Sequence, residues 1–175
     1  MKLLAWVYLA LGAISQASPI PDPLPHPAST GLALSPRQSV SRTVSISSNM
    51  LIHDSETFGD DEFTRSRTLG AVKLGTSEGL MKQVSYTETA GGEICVKVDL
   101  TLTLSPTNLS VDVAYFLTLY EGTSEACGDG ADLDGTVESS GSIGPNTTRT
   151  IEATVNNVDE GGDWARLTLT VLNSS

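Results

Sequence analysis

The chain has 175 residues, of which 21 are acidic and 10 are basic, so its formal net charge at pH 7 is −11. This excess of negative charge argues against nucleic acid and a bare anionic membrane as direct partners. It favours cations, basic proteins or neutral glycans as ligands.

The N-terminus has the three parts of a secretory signal peptide. Lys2 forms a short basic region, an apolar run covers Leu3–Ile14, and the small residues Ser15 and Ala17 occupy the positions that signal peptidase reads. The apolar run of about 12 residues is too short for the roughly 20 that a membrane-spanning helix needs. We therefore predict a signal peptide over residues 1–17, a secreted extracellular protein and no transmembrane segment.

A proline-rich segment follows the signal peptide. It covers residues 18–38, and five of its six prolines stand at alternate positions between Pro19 and Pro27. This spacing suits an extended polyproline conformation and excludes a helix or a central strand. We expect a disordered linker or propeptide arm. The remaining residues, 39–175, have the size of one domain with one core.

Alternation of apolar and polar residues dominates the domain and predicts β-strands. It is clearest in EICVKVDLTLTL over 93–104, where every second residue is apolar. Clusters of Gly, Pro, Asn and Ser separate the alternating segments. The predicted strands are approximately 42–52, 63–74 with a break at Gly70, 81–88, 93–104, 110–120, 136–140, 147–156 and 164–172. Eight short strands predict an all-β fold, a single antiparallel β-sandwich of two sheets.

The connections between these strands sort onto two ends if each one reverses the chain direction. Connections one, three, five and seven then share an end, and three of them carry nearly all the clustered acids. These acids are Asp54, Glu56, Asp60, Asp61 and Glu62; Glu121, Glu125, Asp129, Asp132 and Asp134; and Asp159, Glu160 and Asp163. We therefore expect carboxylates from separate parts of the sequence to become neighbours.

Two N-glycosylation sequons fall in connections that belong to the opposite end. They begin at Asn108 and Asn146, and glycans on either would leave the acidic connections clear. We predict both as glycosylation sites. A third sequon, at Asn173, ends the chain, and we expect it to be used poorly.

The two cysteines, Cys95 and Cys127, predict one disulfide, as an isolated pair in a secreted protein does. Folding 93–104 against 110–120 about the Pro106 turn places Cys95 opposite roughly residue 120, close to the connection that holds Cys127. The bond would close a loop of about 32 residues and stabilise the fold by roughly 3.5–4 kcal/mol in the chain-entropy model. It serves either as a staple alone or as a tether for the acidic connection.

Calcium is the cofactor that clustered carboxylates favour, because Ca²⁺ takes six to eight oxygen ligands in flexible loops. It would offset a repulsion of roughly 1 kcal/mol per close pair of carboxylates in water. The segment GDGADLDG over 128–135 spaces acids and glycines as many calcium loops do, but it is not an EF-hand. The alternative is that acidic loops keep a secreted protein soluble and block edge-to-edge aggregation.

Two stretches, HDSETFGDDEF over 53–63 and LYEGTSEACGDGADLDGT over 119–136, resemble the loops of C2-type β-sandwich domains. In that family a first acidic loop and a later Asp-x-Asp loop jointly hold calcium. The resemblance implies Phe58 as an exposed apolar group at a loop tip. The calcium ligands that it implies are Asp54, Asp60 or Asp61, Asp132 and Asp134.

Trp164 begins the last predicted strand beside an acidic connection. It is a candidate platform for stacking a sugar, and the alternative is that it caps the core.

The segment GTSEG over 75–79 matches the G-x-S-x-G nucleophile elbow, with Ser77 as the nucleophile. That motif needs a parallel sheet and a histidine after the serine, whereas His53 precedes it. We interpret the match as chance.

The sequence therefore predicts a secreted, non-catalytic binding or interaction protein, monomeric, with an unknown protein or glycan as partner. The alternative is an extracellular carboxylate-dependent hydrolase of the glycosidase kind.

Overall fold

The computed structural model describes residues 39–56, 59–122, 127, 131–159 and 161–175. The predicted signal peptide (1–17) and proline-rich arm (18–38) lie outside the described residues. Within the described ranges there is no helix of the length and apolarity that crossing a membrane requires.

The domain is built from eight β-strands. They are β1 Ser41–Glu56, β2 Gly59–Gly75, β3 Met81–Ala90, β4 Ile94–Leu104, β5 Val111–Glu121, β6 Asp132–Ile143, β7 Thr147–Asn156 and β8 Trp164–Ser174. They form two antiparallel four-stranded sheets with the strand orders β2-β1-β8-β7 and β3-β4-β5-β6. The predicted all-β, eight-stranded, two-sheet sandwich is confirmed.

The core lies between the two sheets and is made by the inward phase of each strand. In β4 this phase contains Ile94, Val96, Val98, Leu100, Leu102 and Leu104, which are all buried. The same alternation in β1, β5 and β8 supplies most of the rest. Burying each large side chain contributes roughly 1.5–3 kcal/mol, which is the main term that holds the two sheets together.

The first hairpin is longer than predicted. β1 extends to Glu56 rather than residue 52, and β2 begins at Gly59 rather than residue 63, with pairing that continues from Ile52 opposite Phe63 to Glu56 opposite Gly59. The prediction placed a loop here because carboxylate-bearing residues are depleted in strands. Pairing with β2 and burial of Asp54 outweigh that weak preference.

The sixth strand is also longer than predicted. It covers Asp132–Ile143 instead of 136–140, because β5 offers partners as far as Glu121. A register shift opposite Leu119 and Tyr120 leaves Asp134 as an extra residue, which is a β-bulge. Asp132 and Asp134 are therefore strand residues and not part of a loop.

A second bulge confirms the predicted break at Gly70. The register of β1 and β2 shifts between Ile46 and Ser47. Ile46 pairs with Gly70 and Ser47 pairs with Thr68, so Leu69 has no partner on β1. Gly70 has a φ of 83°, which a residue without a Cβ adopts at little cost.

Two arginines of β2 form hydrogen bonds to β3, which is an edge strand of the other sheet. Nε of Arg65 donates to the carbonyl of Thr89 at 3.1 Å, and Nη2 of Arg67 donates to the carbonyl of Thr87 at 3.3 Å. Nε of Arg67 also donates to Oε1 of Glu88 at 2.8 Å. These contacts occupy carbonyls on an edge of β3 that would otherwise be open to pairing with another chain.

A buried asparagine joins two connections at the end where β8 finishes. Asn173 is fully buried, and its Nδ2 donates to the carbonyls of Leu109, Ile143 and Gly144 at 2.9, 3.1 and 3.1 Å. Its Oδ1 accepts from Nε of Arg42 at 2.9 Å. The sixth connection and the turn before β5 therefore lie together here, as the alternation of strand direction requires.

We predict that Asn173→Ala lowers the free energy of unfolding by about 2–4 kcal/mol, because several buried groups lose their partners at once. Urea unfolding measures the change. Asn49→Ala is the control, since Asn49 is exposed on the outer face of β1. An Asn173 variant no less stable than the Asn49 variant would contradict this role.

Candidate functional site

The four odd-numbered connections meet at one end of the sandwich, as the sequence predicts. Hydrogen bonds join the first connection to the seventh, the third to the fifth, and the fifth to the seventh. These bonds are Ser55 N to Asp163 Oδ1 at 2.6 Å, Gly122 N to Glu93 O at 3.2 Å, and Asn157 Nδ2 to Glu121 Oε2 at 2.7 Å. We call the described carboxylates here the acidic end: Asp54, Glu56, Asp60, Asp61, Glu62, Glu93, Glu121, Asp132, Asp134, Asp159 and Asp163.

Asp54 lies at the centre of this surface. It continues the inward phase of β1 and is only 6% exposed. Burial raises the pKa of its carboxyl group, and the negative charges of Asp163, Glu56, Glu93 and Asp61 raise it further. All the charged groups that move this pKa are carboxylates. The acidic end therefore holds Asp54 in an environment that disfavours its ionised form.

Gly91, in the connection between β3 and β4, makes room for this carboxylate. A Cβ atom at Gly91 would overlap the Oδ2 atom of Asp54, and the φ of Gly91 is +63°. Both facts favour glycine, since other residues rarely adopt that φ. The third connection thus packs directly against the end of β1.

Asp60 and Asp61 project to opposite sides of the first hairpin. Asp61 pairs directly with Asp54, and directly opposite residues of an antiparallel pair share a face. Asp60 pairs with Ser55, whose Oγ donates to Oδ1 of Asp60 at 3.3 Å. Of these two predicted ligands, Asp61 is the one on the face of Asp54.

Asp132 and Asp134 belong to the same end but to a different part of it. Asp134 is buried, and its carbonyl accepts from the N–H of Val158 at 2.8 Å, whereas Asp132 is exposed. The charges that raise the pKa of Asp54 come from Asp163, Glu56, Glu93 and Asp61. In the described part of the chain, no group of three His, Cys, Asp or Glu side chains stands close enough to hold a metal ion.

Sequence reasoning missed Glu93 as a member of the site, and it did not select Asp163 as a ligand. Both become neighbours of Asp54 through the fold. The order of the connections could have predicted both residues, because residues 91–93 form the third connection and residues 157–163 the seventh, and odd-numbered connections share this end. Phe58, and residues 128–130 of the calcium-like segment, lie outside the described residues.

Trp164 forms a small aromatic cluster on the outer face of the β1–β8 pair. Its ring stacks on His53 with centroids 5.2 Å apart and 12° between the planes. The guanidinium of Arg166 lies 5.2 Å from the centroid of the Trp164 ring. Nδ1 of His53 is 3.8 Å from Oε1 of Glu62. The indole ring therefore already has contacts with two side chains of the protein itself.

The predicted disulfide is confirmed. Cys95 and Cys127 are bonded, with Cα atoms 5.4 Å apart and a sequence separation of 32. Cys95 pairs with Tyr120 across β4 and β5, as the turn at Pro106 predicts. It is almost fully buried, although it lies on the outward phase of β4. The bond ties the fifth connection to the sheet at the acidic end.

The two predicted glycosylation residues are both exposed. Oδ1 of Asn108 accepts from the N–H and the hydroxyl of Ser110, and Oδ1 of Asn146 accepts from Nη2 of Arg42. These bonds use the carboxamide oxygen, while a glycan is attached to the nitrogen. Asn173 differs, because its Nδ2 is buried and donates to three carbonyls.

Comparisons with known protein families, with curated protein sequences and with solved structures give no match for this chain. The function of the chain is therefore inferred from its geometry and charge.

We predict that Gly91→Ala destabilises the protein more than Gly92→Ala. Both glycines have positive φ, +63° and +91°, so alanine at either should cost about 1–2 kcal/mol. Only the Cβ at Gly91 meets the carboxylate of Asp54, while the Cβ at Gly92 meets no atom within 4 Å. Thermal unfolding of the two variants measures the difference. Equal losses would mean that the contact between Gly91 and Asp54 is not tight in solution.

We also predict that Asp54→Asn stabilises the protein at neutral pH in a buffer containing a chelator. Because folding raises the pKa of Asp54 above 3.8, the wild type loses stability as the pH rises from 3.8 through the raised value. The asparagine does not titrate, so the variant should gain about 1 kcal/mol at pH 7, the size of one close carboxylate repulsion in water. The gain should vanish below pH 3.8.

Urea unfolding between pH 3 and 8 tests this expectation, with Asp112→Asn as the control. Asp112 is exposed at the beginning of β5, far along the strand from Glu121, which belongs to the acidic end. A gain that is the same at pH 3 and pH 7, or a loss at pH 7, would contradict the inferred repulsion at Asp54.

Proposed function

We propose that this protein is a secreted, non-catalytic binding protein whose acidic end binds calcium or the cationic surface of a partner protein. The observation that carries the proposal is the environment of Asp54, where burial and four neighbouring carboxylates raise the pKa. Bringing these charges together costs folding free energy. A bound cation would recover that cost, so the acidic end favours a positively charged ligand.

The donor atoms suit calcium by their chemistry, because Ca²⁺ prefers carboxylate and carbonyl oxygens. Asp163, Glu56, Glu93 and Asp61 are the carboxylates whose charges act on Asp54. Since no three of the described side chains form a ready metal-binding group, calcium would require exposed members such as Asp61 to turn toward the ion. This set shares Asp54 and Asp61 with the ligands that the resemblance to C2-type domains implies, but not Asp132 and Asp134.

A cationic protein partner is supported by two apolar side chains beside the carboxylates. Leu133 is 52% exposed and Val158 is 76% exposed. They are neighbours, because the N–H of Val158 donates to the carbonyl of Asp134, the residue after Leu133. Apolar contacts at the centre and complementary charges at the rim are the usual composition of a protein interface. A basic, amphipathic segment would meet both needs.

The remaining features of the chain fit a secreted protein. The signal-peptide pattern of residues 1–17 and the disulfide between Cys95 and Cys127 both suit an oxidising extracellular environment. Glycans at Asn108 and Asn146 would lie at the end where Asn173 holds Leu109 and Gly144, away from the acidic end. Modification there would leave the proposed binding surface open.

The burial of Asp54 and Asp163 favours a binding function over the alternative, a carboxylate-dependent hydrolase. Such enzymes place two carboxyl groups on either side of the bond that they cleave. Asp54 and Asp163 are both less than a tenth exposed, and Oδ1 of Asp163 accepts from the N–H of Ser55. This buried pair therefore leaves no space for a glycosidic bond between its carboxyl groups.

We predict that calcium chloride raises the melting temperature relative to the same buffer with a chelator. At a free calcium concentration 100 times the dissociation constant, the stabilisation should be about 2.7 kcal/mol. Asp54→Asn and Asp61→Asn should each reduce this calcium-dependent shift, and Asp112→Asn should keep it. Magnesium at the same ionic strength is the control for general screening of charge.

If millimolar calcium produces no shift, the metal is excluded and a cationic protein surface remains. Titration with a synthetic Lys/Leu amphipathic peptide then tests that surface, with Leu133→Ala and Val158→Ala expected to weaken binding. Absence of any effect of calcium and equal peptide binding by the wild type and these variants would overturn the proposed function.

A further inference from the structure

An exposed aromatic ring stands in the middle of the outer face of the β3-β4-β5-β6 sheet. It belongs to Phe116, which lies on the outward phase of β5 and is 39% exposed. Its cross-strand partners are Asp99 on β4 and Glu138 on β6. The ring is therefore flanked on both sides by carboxylates instead of by other apolar groups.

A shallow groove of about 420 Å³ lies beside this ring. Thr101, Ala114 and Ser140 contribute to its lining together with the ring and the two carboxylates. Ala114 is two residues before Phe116 on the same face of β5, so its small side chain leaves space next to the ring. The groove thus combines one apolar platform with hydroxyl groups and carboxylates at its borders.

The carboxylate of Asp99 can accept hydrogen bonds from a ligand in this groove. Although burial opposes it, the hydrogen bonds from Ser85 and Lys97 and the charge of Lys97 hold the pKa of Asp99 below its usual value. Nζ of Lys97 lies 3.0 Å from Oδ2 of Asp99, and Oγ of Ser85 donates to Oδ1 at 2.5 Å. The carboxylate is fixed in position and remains ionised in the neutral range.

Saccharides match this combination of groups. A hexose ring presents an apolar face of C–H groups, which packs on an aromatic ring, and a rim of hydroxyl groups, which donate to carboxylates and exchange hydrogen bonds with Ser and Thr. A ligand site typically has such a mixture of an apolar contact and a few convergent polar groups. An acidic sugar would be repelled by Asp99 and Glu138, so the match is to a neutral one.

We propose that the groove beside Phe116 binds a neutral hexose saccharide, with the sugar ring stacked on Phe116 and its hydroxyl groups bonded to Asp99 and Glu138. The site is separate from the acidic end and does not depend on calcium or on a cationic partner. It would make the protein a binder of neutral polysaccharides such as those of cell walls or extracellular matrices.

The opposite face of the sandwich provides an internal comparison. A groove of about 450 Å³ on the outer face of the other sheet is lined by Ser47, Asn49, Ser66, Thr68, Thr168 and Thr170, with Ser48 and Arg67. It is similar in size and has polar groups, but its lining does not include an aromatic ring. If hydroxyl groups alone were enough to hold a saccharide, this second groove would bind as well.

Affinity electrophoresis in native gels that contain laminarin, galactomannan or hydroxyethylcellulose tests the proposal with the intact secreted protein. We expect at least one of these neutral polysaccharides to retard the wild type. Phe116→Ala should raise the dissociation constant about tenfold or more, which is the effect of losing about 1.4 kcal/mol of contact energy. Phe116→Trp should retain binding, because it keeps an aromatic platform.

Leu172→Ala is the matched control, since Leu172 is 37% exposed on the outer face of the other sheet. It should bind as the wild type does.

Ala114→Lys leaves the ring in place but fills the groove, and it should abolish retardation. Wild-type protein that none of the three polysaccharides retards, or retardation that Phe116→Ala and Ala114→Lys leave unchanged, would overturn the proposal. Unfolding curves of the variants show whether a loss of binding reflects a loss of folded protein.

Discussion

Reversal of strand direction at every connection is the constraint on which the arrangement of charge in this protein depends. The strands of each sheet are antiparallel, and hydrogen bonds between the sheets join odd-numbered connections to one another at one end and even-numbered ones at the other. The sequence places most of its acids in the first set and its two exposed sequons in the second. A molecule with one strongly anionic end follows from this distribution alone.

The two ends are stabilised in different ways. At the end of Asn173, buried donors and acceptors satisfy one another and the contacts add to stability. At the acidic end, the disulfide and the hydrogen bonds of Ser55 and Asn157 hold connections whose carboxylates repel one another. The apolar core supplies the free energy that offsets this repulsion. Such a balance is typical of surfaces that function by binding, where local stability is given up for recognition.

The fold could be predicted from the sequence because one physical signal, period-two alternation, runs through β1, β4, β5, β7 and β8, and turn residues separate the remaining strands. The disulfide followed from register, since a turn at Pro106 brings Cys95 opposite Tyr120. The candidate site was harder to predict, because Glu93 and Asp163, which act on Asp54, come from two other connections. One signal was present and overlooked: Asp54 continues the inward phase of Val44, Ile46, Met50 and Ile52. The strand ends were misplaced because carboxylates in a sequence suggest a loop, while the actual strands continue through them.

The groove beside Phe116 was not visible in the sequence, where a single phenylalanine in a strand predicts only a contribution to the sheet. Its character depends on Asp99 and Glu138, which register brings to either side of the ring. Phe116 and Glu121 are five residues apart on β5, which corresponds to roughly 17 Å along a strand. Asp99 and Glu138, which pair with Phe116, are at a similar distance along the sheet from Glu121, and charges at that separation are largely screened where the Debye length is about 8 Å. A saccharide in the groove and a cation at the acidic end would therefore bind almost independently, so the loss of one ligand should leave the affinity for the other unchanged.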